Sequence, residues 1–179
     1  RRKLAEAKLP DKIPLHEIKY NVNYNFGAFN IEFVALSHSI PDPAALIIKT
    51  DKGHILHTGD WKLDETPMLG SKTDITRLKQ IGEEGVLALI GDSTNAMVDG
   101  RTPSEAEARR GLTDVIASAK QTVAITCFAS NVARIDSIVA AAKSNNRHVC
   151  VVGRALHRAI SAARDTGYLT DLPDFVSEA

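Results

Sequence analysis

Hydrophobic periodicity changes along this 179-residue chain, from alternation at two residues to recurrence at three and four, and the change falls near residue 100. Before it, short apolar or alternating runs at 16–20, 28–36, 44–49 and 54–58 are separated by turn residues, which predicts strands. Asp51-Lys52-Gly53 lies between the third and fourth runs and supplies Gly where positive φ is needed, so these two should pair as a hairpin. A short helix over 73–81, with Thr73 as its N-cap, and a buried strand over 86–90 follow. Beyond Thr102 helix and strand alternate: a helix to about 119, a strand over 122–128, a helix over 132–143, a strand over 148–152 and a helix over 155–166 that closes at Gly167. In Thr102-Pro103-Ser104-Glu105 the Thr is expected to cap, the Pro to pre-set the first turn and the Glu to complete a capping box. Val132, Ile135, Val139 and Ala142 share one face of the next helix. Such alternation implies a parallel sheet with crossover helices. The opening Arg1-Arg2-Lys3-Leu4-Ala5-Glu6-Ala7 has the texture of a helix end, which predicts chain upstream of it.

Composition narrows the function. Lys and Arg number 22 against 22 Asp and Glu, with 12 basic and 13 acidic residues up to Met97 and 10 and 9 beyond it. Neither part carries a long-range positive field, so any contact with RNA or DNA must be made by local basic groups in a groove. Cys127 and Cys150 both sit in apolar runs, TVAITCF and HVCVV, and are expected as buried thiols of a reduced compartment, with the cytoplasm as the default location. No apolar run approaches a membrane span, and the first residues lack the apolar core of a signal peptide.

Chemistry-bearing residues gather where strands end. Of six histidines, His16, His54, His57 and His148 lie in or at the ends of strand-like runs and His157 lies on a helix beside Arg158, where surface or core roles are the simpler reading. His38 differs, because it sits between an apolar strand and the turn Ile40-Pro41-Asp42-Pro43, a place from which groups are presented to ligands. Asp60 follows His57-Thr58-Gly59 at the end of the fourth run, and Asp92 follows Gly91 at the end of the 86–90 run. Asp60 suits either a metal site or a solvated turn, whereas Asp92 suits cradling a phosphate, orienting a histidine, or an Asx turn that satisfies local amides. Ser93, Ser130, Asn131 and Arg154 occupy strand-to-helix turns whose backbone N–H groups favour phosphate. Neither a dinucleotide fingerprint nor a Walker A loop is present.

Five segments, Ser37-His38-Ser39-Ile40-Pro41-Asp42, His57-Thr58-Gly59-Asp60-Trp61-Lys62, Gly91-Asp92-Ser93-Thr94-Asn95-Ala96, Thr102-Pro103-Ser104-Glu105 and Phe128-Ala129-Ser130-Asn131-Val132-Ala133-Arg134-Ile135, together resemble the ribonuclease J family, a β-CASP branch of the metallo-β-lactamase superfamily. The resemblance implies an α/β chain: residues 1–97 as the C-terminal part of a metallo-β-lactamase αββα sandwich, and 98–179 as the first βα units of a Rossmann-like, parallel-sheet β-CASP domain. It implies a 5′-to-3′ exonuclease and endonuclease that hydrolyses RNA, using two zinc ions that share a bridging hydroxide. Carried over motif by motif, His38 would bind one zinc, Asp60 would bridge both, and Asp92 would hold a later metal-binding histidine without touching metal itself. From their turns, Ser93, Ser130, Asn131 and Arg154 remain the candidates for RNA or phosphate contact, whereas the family's 5′-phosphate pocket and most of its RNA-gripping residues are expected outside these residues. RNA as substrate, no membrane partner and a homodimer of the full-length protein are also implied.

The family's His-x-His-x-Asp-His motif does not occur in these 179 residues. The chain is therefore expected to be an internal fragment holding two of seven metal ligands, with little or no zinc and no activity of its own. A different class of reading is a non-catalytic α/β module that binds nucleotide or RNA through the turns at Asp92, Ser130 and Gly153. A tRNA 3′-processing type of metallo-β-lactamase hydrolase fits less well, because it lacks the βα stretch after Thr102.

Overall fold

The structure, a computed structural model, describes residue 4, residues 7–9 and residues 13–178. The expected helix end at residues 1–7 lies largely outside the described residues. The chain is mixed α/β. Strands β1 (Asn23–Phe26), β2 (Phe29–Ala35), β3 (Ala44–Thr50), β4 (Gly53–His57) and β5 (Val86–Ile90) form one sheet in sequence order. The first four pair antiparallel and β5 joins β4 in parallel.

Local chemistry explains the hairpins. Thr50 pairs with Gly53, whose φ of 139° lies outside the usual range of L-residues, and the Thr50 hydroxyl closes the turn on the Gly53 carbonyl at 2.9 Å. A second tight turn, at Gly27-Ala28, joins β1 to β2. Residues 16–20, expected as a strand, form none; the first strand begins at Asn23, where this turn sets the pairing of Phe26 with Phe29.

Helix α1 (Ile75–Glu84) makes the crossover from β4 to β5 and covers one face of the sheet. Alternation along β2 turns Glu32, Val34 and then Leu36 toward it, and Val34, Leu36, Ala45, Ile47 and Ile81 form a core against which Leu56, Leu78 and Val86 pack. Glu32 is buried in the same layer as a charge. Arg77 grips it at 2.6 and 2.9 Å and Lys49 adds a third contact at 2.9 Å, so its carboxyl is lowered to about 2, chiefly by Arg77. Asp74, not Thr73, caps α1, accepting the Arg77 N–H at 2.9 Å. The Thr73 hydroxyl is instead engaged by Ser37.

Helices α2 (Glu105–Ser118), α3 (Val132–Ser144) and α4 (Arg154–Asp165) follow. The capping box of α2 starts two residues later than expected: Ser104 accepts the Glu107 N–H at 3.1 Å, and the Glu107 carboxylate accepts the Ser104 N–H at 2.7 Å. Ser-x-x-Glu fits this register as well as Thr-x-x-Glu fits the other, and Pro103 stands before the cap. Val132, Ile135, Val139 and Ala142 are all buried on α3, as their spacing predicts. A second core joins Val132, Ile135, Val151, Ile160, Ala163 and Leu169, and Leu69 from the segment after β4 packs against it.

The expected strands at 122–128 and 148–152 form no sheet ladder among the described residues; only Cys150 makes an isolated parallel bridge, to Val176. A strand exists through its partner's hydrogen bonds, and here an apolar groove of about 360 Å³ lies along both segments, floored by Ile135, Val139, Leu156 and Ile160. Cys127 is half-buried and burial pushes its thiol up, whereas Cys150 is exposed, against the expectation that both are buried. No helix among the described residues is long and apolar enough to cross a membrane.

Candidate functional site

Three strand ends meet at one edge of the sheet. Past the end of β2, Ser37 pairs antiparallel with Lys62 across an isolated bridge: the Lys62 N–H donates to the Ser37 carbonyl at 3.0 Å and the Ser37 hydroxyl donates to the Lys62 carbonyl at 2.8 Å. Ser37 is fully buried, its N–H bound to the Thr73 hydroxyl at 2.9 Å and its own hydroxyl oxygen accepting the Asp64 N–H at 3.1 Å. This knot brings the residue after Ser37, His38, alongside the segment that carries Asp60 and Trp61.

Asp60 is delivered by a tight reversal at the end of β4. Gly59 has a φ of 62°, its N–H donates to His57 Nδ1 at 3.0 Å, and the Thr58 hydroxyl donates to its carbonyl at 2.8 Å. Parallel pairing of β4 with β5 sets the third end beside the second: the Thr58 N–H donates to the Ile90 carbonyl, and the Asp92 N–H donates to the Thr58 hydroxyl at 3.2 Å. Trp61 closes the arrangement by donating its indole N–H to the Asp92 carbonyl at 3.1 Å. The Asp92 carboxylate accepts from the Thr94 hydroxyl and N–H at 2.5 and 2.9 Å. The Thr94 hydroxyl and amide hold this carboxyl below the usual range, with the nearby His38 adding a smaller pull.

The result is a polar cleft of about 300 Å³. His38, Asp60, Trp61, Lys62 and Asp92 line one side, and Glu105, Asn131 and Arg134 from the N-terminal ends of α2 and α3 line the other. The two sides are joined through Asp64, whose side chain is 1% exposed. Its carboxylate accepts the N–H groups of Thr66 and Glu105, each at 2.9 Å, and pairs with Lys62 at 3.0 Å. Burial pushes the Asp64 carboxyl up, but the Glu105 amide, Lys62 and the Thr66 amide outweigh it and hold the group below the ordinary aspartate range. Glu105, also buried, then holds the Arg134 guanidinium at 2.8 and 3.3 Å.

Of the residues singled out from sequence, His38, Asp60 and Asp92 come together in the cleft. Asn131 joins them, though its carboxamide oxygen is occupied in capping α3, accepting the Arg134 N–H at 2.8 Å. Ser93 lines an adjoining concavity with Trp61 and Arg101, and Ser130 is exposed outside the cleft lining. Arg154 stands apart at the first turn of α4, where Glu178 accepts from the Gly153 N–H at 3.4 Å and meets His157 Nε2 at 2.8 Å. Lys62, Asp64, Glu105 and Arg134 were not foreseen. Lys62, Glu105 and Arg134 lie inside the motifs, but only the fold turns them to one opening.

The donors that reach the cleft are an imidazole and carboxylates, the right types for a divalent transition metal. Among the described residues no group of three or more His, Cys, Asp or Glu is placed to hold an ion. Zinc takes three or four protein ligands, so these residues alone do not make a zinc site.

Residues 120–179 match the family model described as "Ribonuclease J, beta-CASP domain". Ribonuclease J of Sinorhizobium meliloti is 45% identical over 98% of the chain, which covers 31% of that protein. Ribonuclease J of Corynebacterium glutamicum is 44% identical over 87% of the chain and 22% of that protein, and ribonuclease J2 of Bacillus subtilis 38% identical over 94% and 30%. A solved protein of unknown function from Enterococcus faecalis V583 shares the fold with a TM-score of 0.64 at 15% identity, over 93% of this chain and 38% of that one. Nearly the whole chain is thus similar to ribonucleases J while spanning about a third or less of their length, and residues 120–179 match the β-CASP domain of that family.

Proposed function

We propose that the protein carrying this chain is a metal-dependent ribonuclease that hydrolyses RNA phosphodiesters as a 5′-to-3′ exonuclease and endonuclease, with His38 and Asp60 each supplying one of its metal ligands. Zinc is the ion we assign, two per complete site, the remaining ligands coming from outside these residues. What supports the reading most is the convergence of His38, Asp60 and Asp92 from three strand ends on one polar cleft, in a chain similar to ribonucleases J over almost all its length. Asp92 serves as a carboxylate that orients a neighbouring ligand, and its Thr94 contacts keep it ionised for that task. Ser93, Ser130, Asn131 and Arg154 are assigned to RNA or its phosphates, with Asn131 best placed of the four.

On the same reading, residues up to about 97 belong to a metallo-β-lactamase αββα sandwich, and the rest open a Rossmann-like β-CASP domain. We further propose a cytoplasmic homodimer without a membrane partner for the full-length protein. The 179-residue chain by itself is proposed to be inactive.

Asp60→Ala in the protein carrying this chain should abolish RNA cleavage while RNA binding survives. Turnover near the wild-type rate would remove Asp60 from the metal site. The scarcity of metal donors among the described residues favours a second reading, a non-catalytic module that binds nucleotide or RNA. That reading predicts no cleavage by the wild-type protein at any metal concentration.

A further inference from the structure

Phe128 stands in the turn that leads into α3. Its carbonyl accepts the Asn131 N–H at 2.9 Å, and the turn leaves the ring 85% exposed, although the residue follows an apolar run and stands next to Cys127, which packs against the second core. A largely exposed aromatic ring beside a cleft offers its face to a flat apolar group. Phe128 lines one concavity with Asn131 and Arg134, and Arg134 at the same time lines the polar cleft of His38 and Asp60. The two openings therefore share Arg134 in their lining.

Arg134 is built to present a fixed charge there. Its Nε and one terminal nitrogen are committed to the buried Glu105, which sets the plane of the group, while the Arg134 side chain stays 34% exposed. A guanidinium has five N–H donors, and the edge not facing Glu105 suits a planar bidentate contact with a phosphate. Of the neighbouring charges, Glu105 lies in the buried layer behind it, while His38 and Asp60 face it across the cleft.

Resting on the ribonuclease reading above, we propose that Phe128 and Arg134 form a nucleotide subsite beside the cleft, the base of single-stranded RNA stacking on Phe128 and its phosphate pairing with Arg134. Stacking on one ring face accepts any base, so the subsite grips RNA without reading its sequence. The neutral overall charge of the chain fits this arrangement, because the grip comes from one oriented cation and one ring.

The test measures binding of a ten-nucleotide oligouridylate, and of the same oligomer with abasic sites, to the full-length protein carrying this chain. Phe128→Ala should weaken the oligouridylate about ten-fold and the abasic oligomer hardly at all, with Phe128→Trp restoring affinity. Because the ring is exposed, the substitution leaves the fold intact. Arg134→Gln combined with Glu105→Gln removes both charges while keeping hydrogen-bonding groups, and should flatten the slope of log affinity against log salt by about 0.7. Unchanged oligouridylate binding by Phe128→Ala overturns the proposal, as does equal loss on both oligomers. A change only in self-association, which would mean that protein covers the ring, overturns it too. If wild type cleaves RNA and the Phe128 variants match it in KM and affinity, the subsite alone falls; if wild type neither binds nor cleaves RNA, the ribonuclease reading falls with it.

Discussion

Asp64→Asn tests the joint between the two walls of the cleft. The native carboxylate presents two oxygens to three donors: Oδ1 to the Thr66 N–H, and Oδ2 to the Glu105 N–H and the Lys62 ammonium. An asparagine offers one oxygen, so in either orientation its NH2 group faces a backbone N–H. One buried donor is then left unsatisfied, at a cost of about 1–3 kcal/mol. Loss of the Lys62 partner, whose side chain is 18% exposed, adds about 1 kcal/mol, for a total near 3 kcal/mol. With a urea m-value of about 2 kcal/mol/M, the midpoint should fall by about 1.5 M. The readout is urea unfolding of the 179-residue chain followed by fluorescence of Trp61, its only tryptophan, whose indole is bonded to Asp92 at the cleft. The pH dependence gives an independent check. The folded carboxyl lies below its unfolded value, so its stabilisation is present above the ordinary aspartate range and disappears as pH falls through the lowered value. The gap between wild type and Asp64→Asn should therefore narrow on acidification. An unchanged midpoint at pH 7, or a gap of constant size down to pH 2, would refute the reasoning.

Other consequences follow from the same contacts. Glu32, lowered to about 2 from an ordinary 4.5, stabilises the fold by about 3 kcal/mol above pH 5; this is lost as pH falls toward 2, so Glu32→Gln should be less stable at pH 7 and converge with wild type in acid. Ile47→Ala, at a fully buried position under α1, should cost about 3 kcal/mol in chemical denaturation, whereas Leu87→Ala on the open side of β5 should cost under about 1 kcal/mol. Ser104→Ala removes the acceptor for the Glu107 N–H and should destabilise by about 1 kcal/mol, seen first as faster amide exchange in the opening turn of α2.

Elements whose cause is local were legible in the sequence. The β3–β4 hairpin needed only a glycine at the turn, and α3 needed only its spacing of Val132, Ile135, Val139 and Ala142, because a period of 3.6 residues fixes which side chains share a face. His38, Asp60 and Asp92 could likewise be picked out as strand-end residues. Errors of one residue at the cap of α1 and two at that of α2 arose where Thr, Ser and Asp compete for one role, and at α1 a neighbouring contact decided it: Thr73 was drawn to Ser37, leaving Asp74 to cap.

What the tertiary structure alone decided is everything that depends on a partner distant in sequence. The segments at 122–128 and 148–152 have strand-like composition, yet a ladder requires a second backbone paired along several residues, and among the described residues the only pairing they make is the isolated bridge of Cys150 with Val176. The cleft itself depends on the Ser37–Lys62 bridge, on the parallel seating of β5 beside β4, and on Asp64 reaching the first N–H of α2 across 41 residues. Side-chain periodicity can say that Arg134 lies off the buried face of α3; only the packing of α2 against α3 and the burial of Glu105 turn its charge toward His38 and Asp60.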